Sequence, residues 1–145
     1  MAPAALRRAA RRERGDHRSV PRRHHRRPLG KLKALAAALY TSPPTAEELA
    51  FWGLTPDDYG HEEVWVWPEN ADAFFLFRDL ATQWRVARGG PTGLDHNVLL
   101  LRLDRMRLPD DDRDQLDADV RVMELAALEQ MNEEREKRER TARGS

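Results

Sequence analysis

The residues whose chemistry is easiest to name fall into three groups. Asp110, Asp111, Asp112 and Asp114 crowd four carboxylates together, a set that could gather a hard cation through oxygen ligands. Their spacing is not that of a calcium loop, and acids at a helix start are already explained by the helix dipole, so no metal site is expected. Gly89-Gly90-Pro91-Thr92-Gly93 has the glycine content of a phosphate cradle. A P-loop also needs a following lysine and a preceding strand, and here no lysine follows and no strong strand pattern is read before it; the run, with Asp95 behind it, is expected to be an interhelical turn. His24 and His25 lie among arginines, while His61 and His96 stand alone in sequence. With no nucleophile or partner carboxylate beside them, they give no basis for acid-base catalysis. Cysteine is absent, which removes disulfides, thiolate zinc sites and cysteine nucleophiles. The expectation is a non-enzymatic chain without cofactor or metal.

Chemistry gives way to surface. The stretch from Trp65 to Asp95 holds three of the four tryptophans and three of the four phenylalanines. Trp65 and Trp67 alternate, so one can face a core and the other a partner. Phe75 and Leu76 fall outside the main apolar stripe of their helix, the pattern of an element buried on two sides or holding a surface for a partner. Trp65, Trp67, Phe75, Leu76, Trp84 and Arg85 are therefore the candidate partner-binding residues.

The elements that must position them lie in a chain of 145 residues whose formal charge is zero. That zero conceals an asymmetry: residues 1 to 30 hold ten arginines against Glu13 and Asp16, +8, leaving 15 basic and 23 acidic groups, −8, in residues 31 to 145. Residues 1 to 28, rich in Arg, Ala, Pro and His with almost no large apolar side chain, are expected to be a disordered tail. Such a tail could contact nucleic acid non-specifically through phosphates. No apolar run approaches the roughly 20 residues of a membrane span, and a soluble protein of the cytoplasm is expected.

Five helices are expected. Leu32, Leu35, Ala36 and Leu39, at i, i+3, i+4 and i+7, mark a first one over Leu29 to Tyr40, stopped by Pro43-Pro44. Thr45 and Glu48 form a capping box for a second, anchored by Leu49, Phe51 and Trp52 and ended by Gly53. Thr55-Pro56-Asp57-Asp58 predicts one further helical turn. Val64 to Trp67 is a β-prone run with no partner of comparable strength and is expected to pack as an extended segment. A central helix then runs from Pro68 to near Arg88 on a stripe of Ala73, Phe77, Leu80, Ala81 and Trp84, closed by Gly89 and Gly90. Thr92 is the candidate N-cap of the next, buried helix, which carries Val98, Leu99, Leu101, Leu103 and Met106. Leu116, Val120, Met123, Ala127 and Met131 give the inner face of the last. The fold class expected is all-α: a small bundle of four to five helices over residues 29–131, with a charged extension over 132–145 that frays at its end, where pairs such as Glu133 with Lys137 add little.

Taken in order, Pro43-Pro44-Thr45-Ala46-Glu47-Glu48-Leu49, Trp52-Gly53-Leu54, Val66-Trp67-Pro68-Glu69-Asn70, Thr82-Gln83-Trp84-Arg85-Val86, Gly89-Gly90-Pro91-Thr92-Gly93-Leu94-Asp95 and Arg121-Val122-Met123-Glu124 resemble a family. It comprises small proteins encoded among the tail genes of long-tailed bacteriophages and prophages, similar in role to the frameshift-made second part of the lambda-type tail assembly chaperone. The resemblance covers about residues 34 to 131, and His96 stands where it implies a tyrosine. It implies an assembly factor that holds the tape measure protein soluble, brings tail tube protein to it, and is absent from the mature virion. The alternatives are a nucleic-acid-binding accessory protein using the arginine-rich tail, or a structural joining or terminator component of the tail.

Overall fold

The computed structural model describes residues 29–60 and 63–144; the expectations for residues 1–28 and for His61 lie outside them. The element order is α1 (Leu29–Tyr40), α2 (Ala46–Phe51), α3 (Pro68–Asp79), β1 (Trp84–Ala87), β2 (Gly90–Leu94), α4 (His96–Met106) and α5 (Asp110–Arg143). The chain is mainly helical, and the small antiparallel hairpin β1–β2 corrects the all-α expectation.

Helix α5 is the spine. Its 34 residues give a rod of about 50 Å at 1.5 Å per residue, and α1, α3, α4 and β2 all pack on it. Leu116, Val120, Met123 and Ala127 are buried along one face as their spacing predicts, with Met131 partly buried behind them. Against them lie Leu32, Leu35 and Ala36 of α1, Phe74 and Phe77 of α3, and Leu99 and Leu103 of α4. Phe77 is fully buried, and its truncation to alanine would cost about 3–5 kcal/mol, since a cavity is added to the lost transfer energy.

The N-terminal elements follow their local chemistry. Glu48 N donates to Thr45 Oγ1 at 3.2 Å and Thr45 N donates to Glu48 Oε2 at 2.8 Å, the reciprocal capping box. Gly53, with φ +72°, turns the chain just beyond α2. Of the anchors expected for α2, Leu49 is buried, whereas Phe51 and Trp52 stay in solvent and pack edge-on against each other. The expected turn of helix after Thr55 is a single turn instead, closed by Asp58 N donating to Thr55 O at 3.0 Å. The Thr55 amide and hydroxyl both donate to Asp58 Oδ2, giving the carboxylate its partners without a helix.

Pro68 opens α3 as expected, but the helix stops at Asp79, nine residues before Arg88. Pairing explains the difference. Trp84 lies opposite Leu94 and Arg85 opposite Gly93, with a register shift that leaves Thr92 as an extra residue donating its hydroxyl to Arg85 O. Gly90, at φ +113°, supplies the left-handed residue after the two-residue link Arg88-Gly89. Gly89, Gly90, Pro91, Thr92 and Gly93 are thus hairpin turn and second strand rather than an interhelical turn. The N-cap of α4 is Asp95, whose Oδ1 accepts from Asn97 N at 3.0 Å, and not Thr92. Helix α4 buries Leu99 and Leu103 only, so its mixed stripes reflect one buried face and one exposed face.

The charged end of α5 is helical to Arg143. Lys137 Nζ pairs with Glu48 Oε1 at 2.7 Å, not with Glu133, and Glu134 Oε1 accepts from Ser42 N at 3.2 Å. These contacts latch the α1–α2 connection and α2 onto the spine.

Candidate partner-binding surfaces

Two apolar surfaces are left without a covering element among the described residues. The first is a groove of about 660 Å³ between α3 and α4. Both helices lean on α5 but make little contact with each other, and the gap between them is lined by Phe75 and Leu76 from α3 and Val98, Leu101 and Met106 from α4. Its rims are charged with opposite sign: Asp72 and Asp79 stand on the α3 side, Arg102 and Arg105 on the α4 side. Asp79 and Arg102 approach to 3.8 Å across it, both about half exposed, a contact worth little in water. Arg78 lies over the Phe75 ring at 4.9 Å from its centroid.

The second is a set of exposed aromatic rings, at the end of α2 and on the segment before α3. Phe51 is 81% and Trp52 76% exposed, and Trp65 is 76% exposed. Trp67, also exposed, carries the Lys31 ammonium 4.0 Å from a ring centroid. The extended segment between Glu63 and Trp67 turns only Val66 toward the core. Exposed tryptophans in such numbers are unusual for a surface facing only water.

The candidate residues read from sequence do not form one site. Trp65 and Trp67 are at the surface, Phe75 is half-buried on the groove wall, and Leu76 is buried in the groove floor. Trp84 is half-buried against the core: its indole N–H donates to the Tyr40 hydroxyl at 2.9 Å, and its ring meets Tyr40 and Phe77 edge-on. Arg85 is exposed on the hairpin, away from the groove lining. Phe51, Trp52, Leu101 and Met106 were not singled out as surface residues. For Leu101 the signal was present, since it lies off the 99–103 stripe that α4 buries.

A polar network centred on one buried carboxylate fixes the hairpin and α4 to the spine. Glu124 of α5 is buried; its Oε1 accepts the Leu94 amide at 2.7 Å and its Oε2 meets His96 Nε2 at 2.8 Å. Arg121 Nη1 lies 2.9 Å from His96 Nδ1, and Arg121 Nε donates to Asp117 Oδ2 at 2.9 Å. Arginine can only donate, so Nδ1 accepts and Nε2 carries the proton given to Glu124. His96 therefore has the partner carboxylate that its isolation in sequence hid. Both of its ring nitrogens are engaged by protein groups, so the cluster clasps the start of α4 to the spine. The clasp joins Gly93-Leu94-Asp95 to Arg121-Val122-Met123-Glu124, two motifs read separately along the chain.

Among the described residues no group of three His, Asp or Glu side chains could hold a metal ion, and no helix is long and apolar enough to cross a membrane. Comparison with curated proteins and with solved structures gives no match. Residues 52–131 match the family model described as phage related hypothetical protein (DUF1799). The matched region takes in the Trp-rich segment, both walls of the groove, the hairpin and both halves of the clasp. The family description carries the phage relation expected from the motifs and says nothing of tail assembly. With more than half of its length matched, the chain belongs to this phage-related family.

Proposed function

We propose that the protein is a non-enzymatic assembly factor for the tail of a long-tailed bacteriophage. It binds the tape measure protein, the tail tube protein or both in the host cytoplasm, and leaves before the particle is complete. The observation that carries this reading is the uncovered apolar surface on a small, highly charged chain of a phage-related family: the exposed rings of Phe51 and Trp52 at the end of α2, those of Trp65 and Trp67 before α3, and the α3–α4 groove. Apolar surface of this kind shields an aggregation-prone partner by burying its exposed side chains. The engagement of both His96 nitrogens supports a binding role over a catalytic one.

The test is co-expression with the tail tube and tape measure proteins of the same phage or prophage. Recovery of a complex with either is expected; co-purification of neither contradicts the proposal. Absence of the chain from purified virions separates an assembly factor from a structural joining or terminator component.

A further inference from the structure

We propose that the α3–α4 groove seats a single amphipathic helix of a partner protein, oriented by its flanking charges. The inference specifies a contact through which the assembly role above is exercised and rests on that reading.

Backbone chemistry selects a helix. Both walls of the groove are helix faces, whose N–H and C=O groups are already bonded within their own helices, so the groove offers an occupant side chains only. An extended segment laid there would bring unpaired backbone groups against Phe75, Leu76, Val98 and Leu101, and each such buried group costs free energy. A helix satisfies its own backbone and presents one apolar stripe, the helix-in-groove mode. No strand edge lines the groove, so strand addition is not open to it.

Charge then fixes the direction and class of that helix. The α3 rim is acidic through Asp72 and Asp79, and the α4 rim is basic through Arg102 and Arg105. Asp72 and Arg105 have no ion-pair partner among the described residues. The matching helix carries Lys or Arg along the flank over α3 and Glu or Asp along the flank over α4. Rim charges of this kind discriminate between partners and registers more than they add affinity.

The experiment uses the full chain and three designed peptides of about six turns with a Leu/Phe stripe. One has the matching flank charges, one has basic residues on both flanks, and one is the matching peptide with two central prolines. Binding is read by fluorescence anisotropy. The matching peptide is expected to bind at least tenfold more tightly than the other two. Arg102→Glu with Arg105→Glu should abolish the preference over the peptide with basic flanks, and Leu101→Asp, at a position 53% exposed and so tolerated by the fold, should abolish binding. Equal binding of all three peptides, or binding unchanged by Leu101→Asp, overturns the proposal. So does sedimentation showing a dimer of this chain that Leu101→Asp dissociates, because the groove is then covered by a second copy. If tail proteins co-purify equally with wild type and Leu101→Asp, the groove inference falls while the assembly reading stands. If they do not co-purify with wild type, the assembly reading falls.

Discussion

Glu124 and His96 meet at 2.8 Å across 28 residues of sequence, and the same carboxylate takes the Leu94 amide at 2.7 Å. One buried side chain thus holds the last residue of the hairpin and the first residue of α4. Glu124→Ala leaves the Leu94 N–H buried without an acceptor, and urea denaturation should show a loss of about 1–3 kcal/mol. Glu124→Gln retains an acceptor for Leu94 but sets an amide N–H₂ against His96 Nε2–H, so a smaller loss of about 1 kcal/mol is expected.

Gly93 has a steric reason to be glycine. A Cβ there would lie 2.9 Å from Glu124 Oε1, so Gly93→Ala must displace the carboxylate that caps Leu94. The substitution should destabilise the wild type but have little further effect in Glu124→Ala. A double-mutant cycle on denaturation midpoints is expected to give a coupling of about 1 kcal/mol or more.

The latch between α2 and α5 is pH-dependent with a defined sign. The Lys137 ammonium first, and the Thr45 amide next, hold the Glu48 carboxyl below its ordinary 4.5, while Glu48 raises Lys137 above its ordinary 10.5. A lowered carboxyl contributes stability above its unfolded pKa and loses it as pH falls through the folded one; a raised ammonium contributes below its unfolded pKa and loses it as pH rises. The Glu48 contribution should fade below about pH 4.5 and the Lys137 contribution above about pH 10.5. Melting curves of Lys137→Met should show a weaker acid dependence than wild type between pH 5 and pH 3, at about those limits.

Arg107 closes α4 at φ +50°, among the described residues the one non-glycine with positive φ. A left-handed residue with a Cβ is strained by roughly 1–2 kcal/mol, partly offset in glycine by greater freedom of the unfolded chain. Arg107→Gly should therefore raise the denaturation midpoint, by up to about 1 kcal/mol of stability.

What could be read along the chain was local chemistry. Leu32, Leu35 and Ala36 gave α1 its span, Thr45 and Glu48 gave the capping box, and the four-and-three spacing from Leu116 to Ala127 gave the spine its buried face. The hairpin was hidden because Trp84 sits at helical spacing from Phe77 and Leu80, and it reaches Phe77 from a strand as well as it would from a helix. Its real partner, Leu94, is ten residues on, and pairing at that range leaves no periodic trace. The clasp was illegible for the same reason: His96 and Glu124 belong to different helices, brought together only when α4 packs on α5. Hydropathy alone makes anchors of Phe51 and Trp52, yet the short α2 buries only Leu49.

The central claim is that the apolar surface of this chain is matched to an aggregation-prone tail protein. It is tested most directly by expressing the tape measure protein of the same phage or prophage alone, with wild type, and with Trp65→Ser/Trp67→Ser, whose positions are exposed and outside the core, and measuring the fraction left in the supernatant. The account predicts that the tape measure protein is soluble with wild type and returns to the pellet with the double variant. A tape measure protein equally soluble in all three, or insoluble in all three, contradicts it.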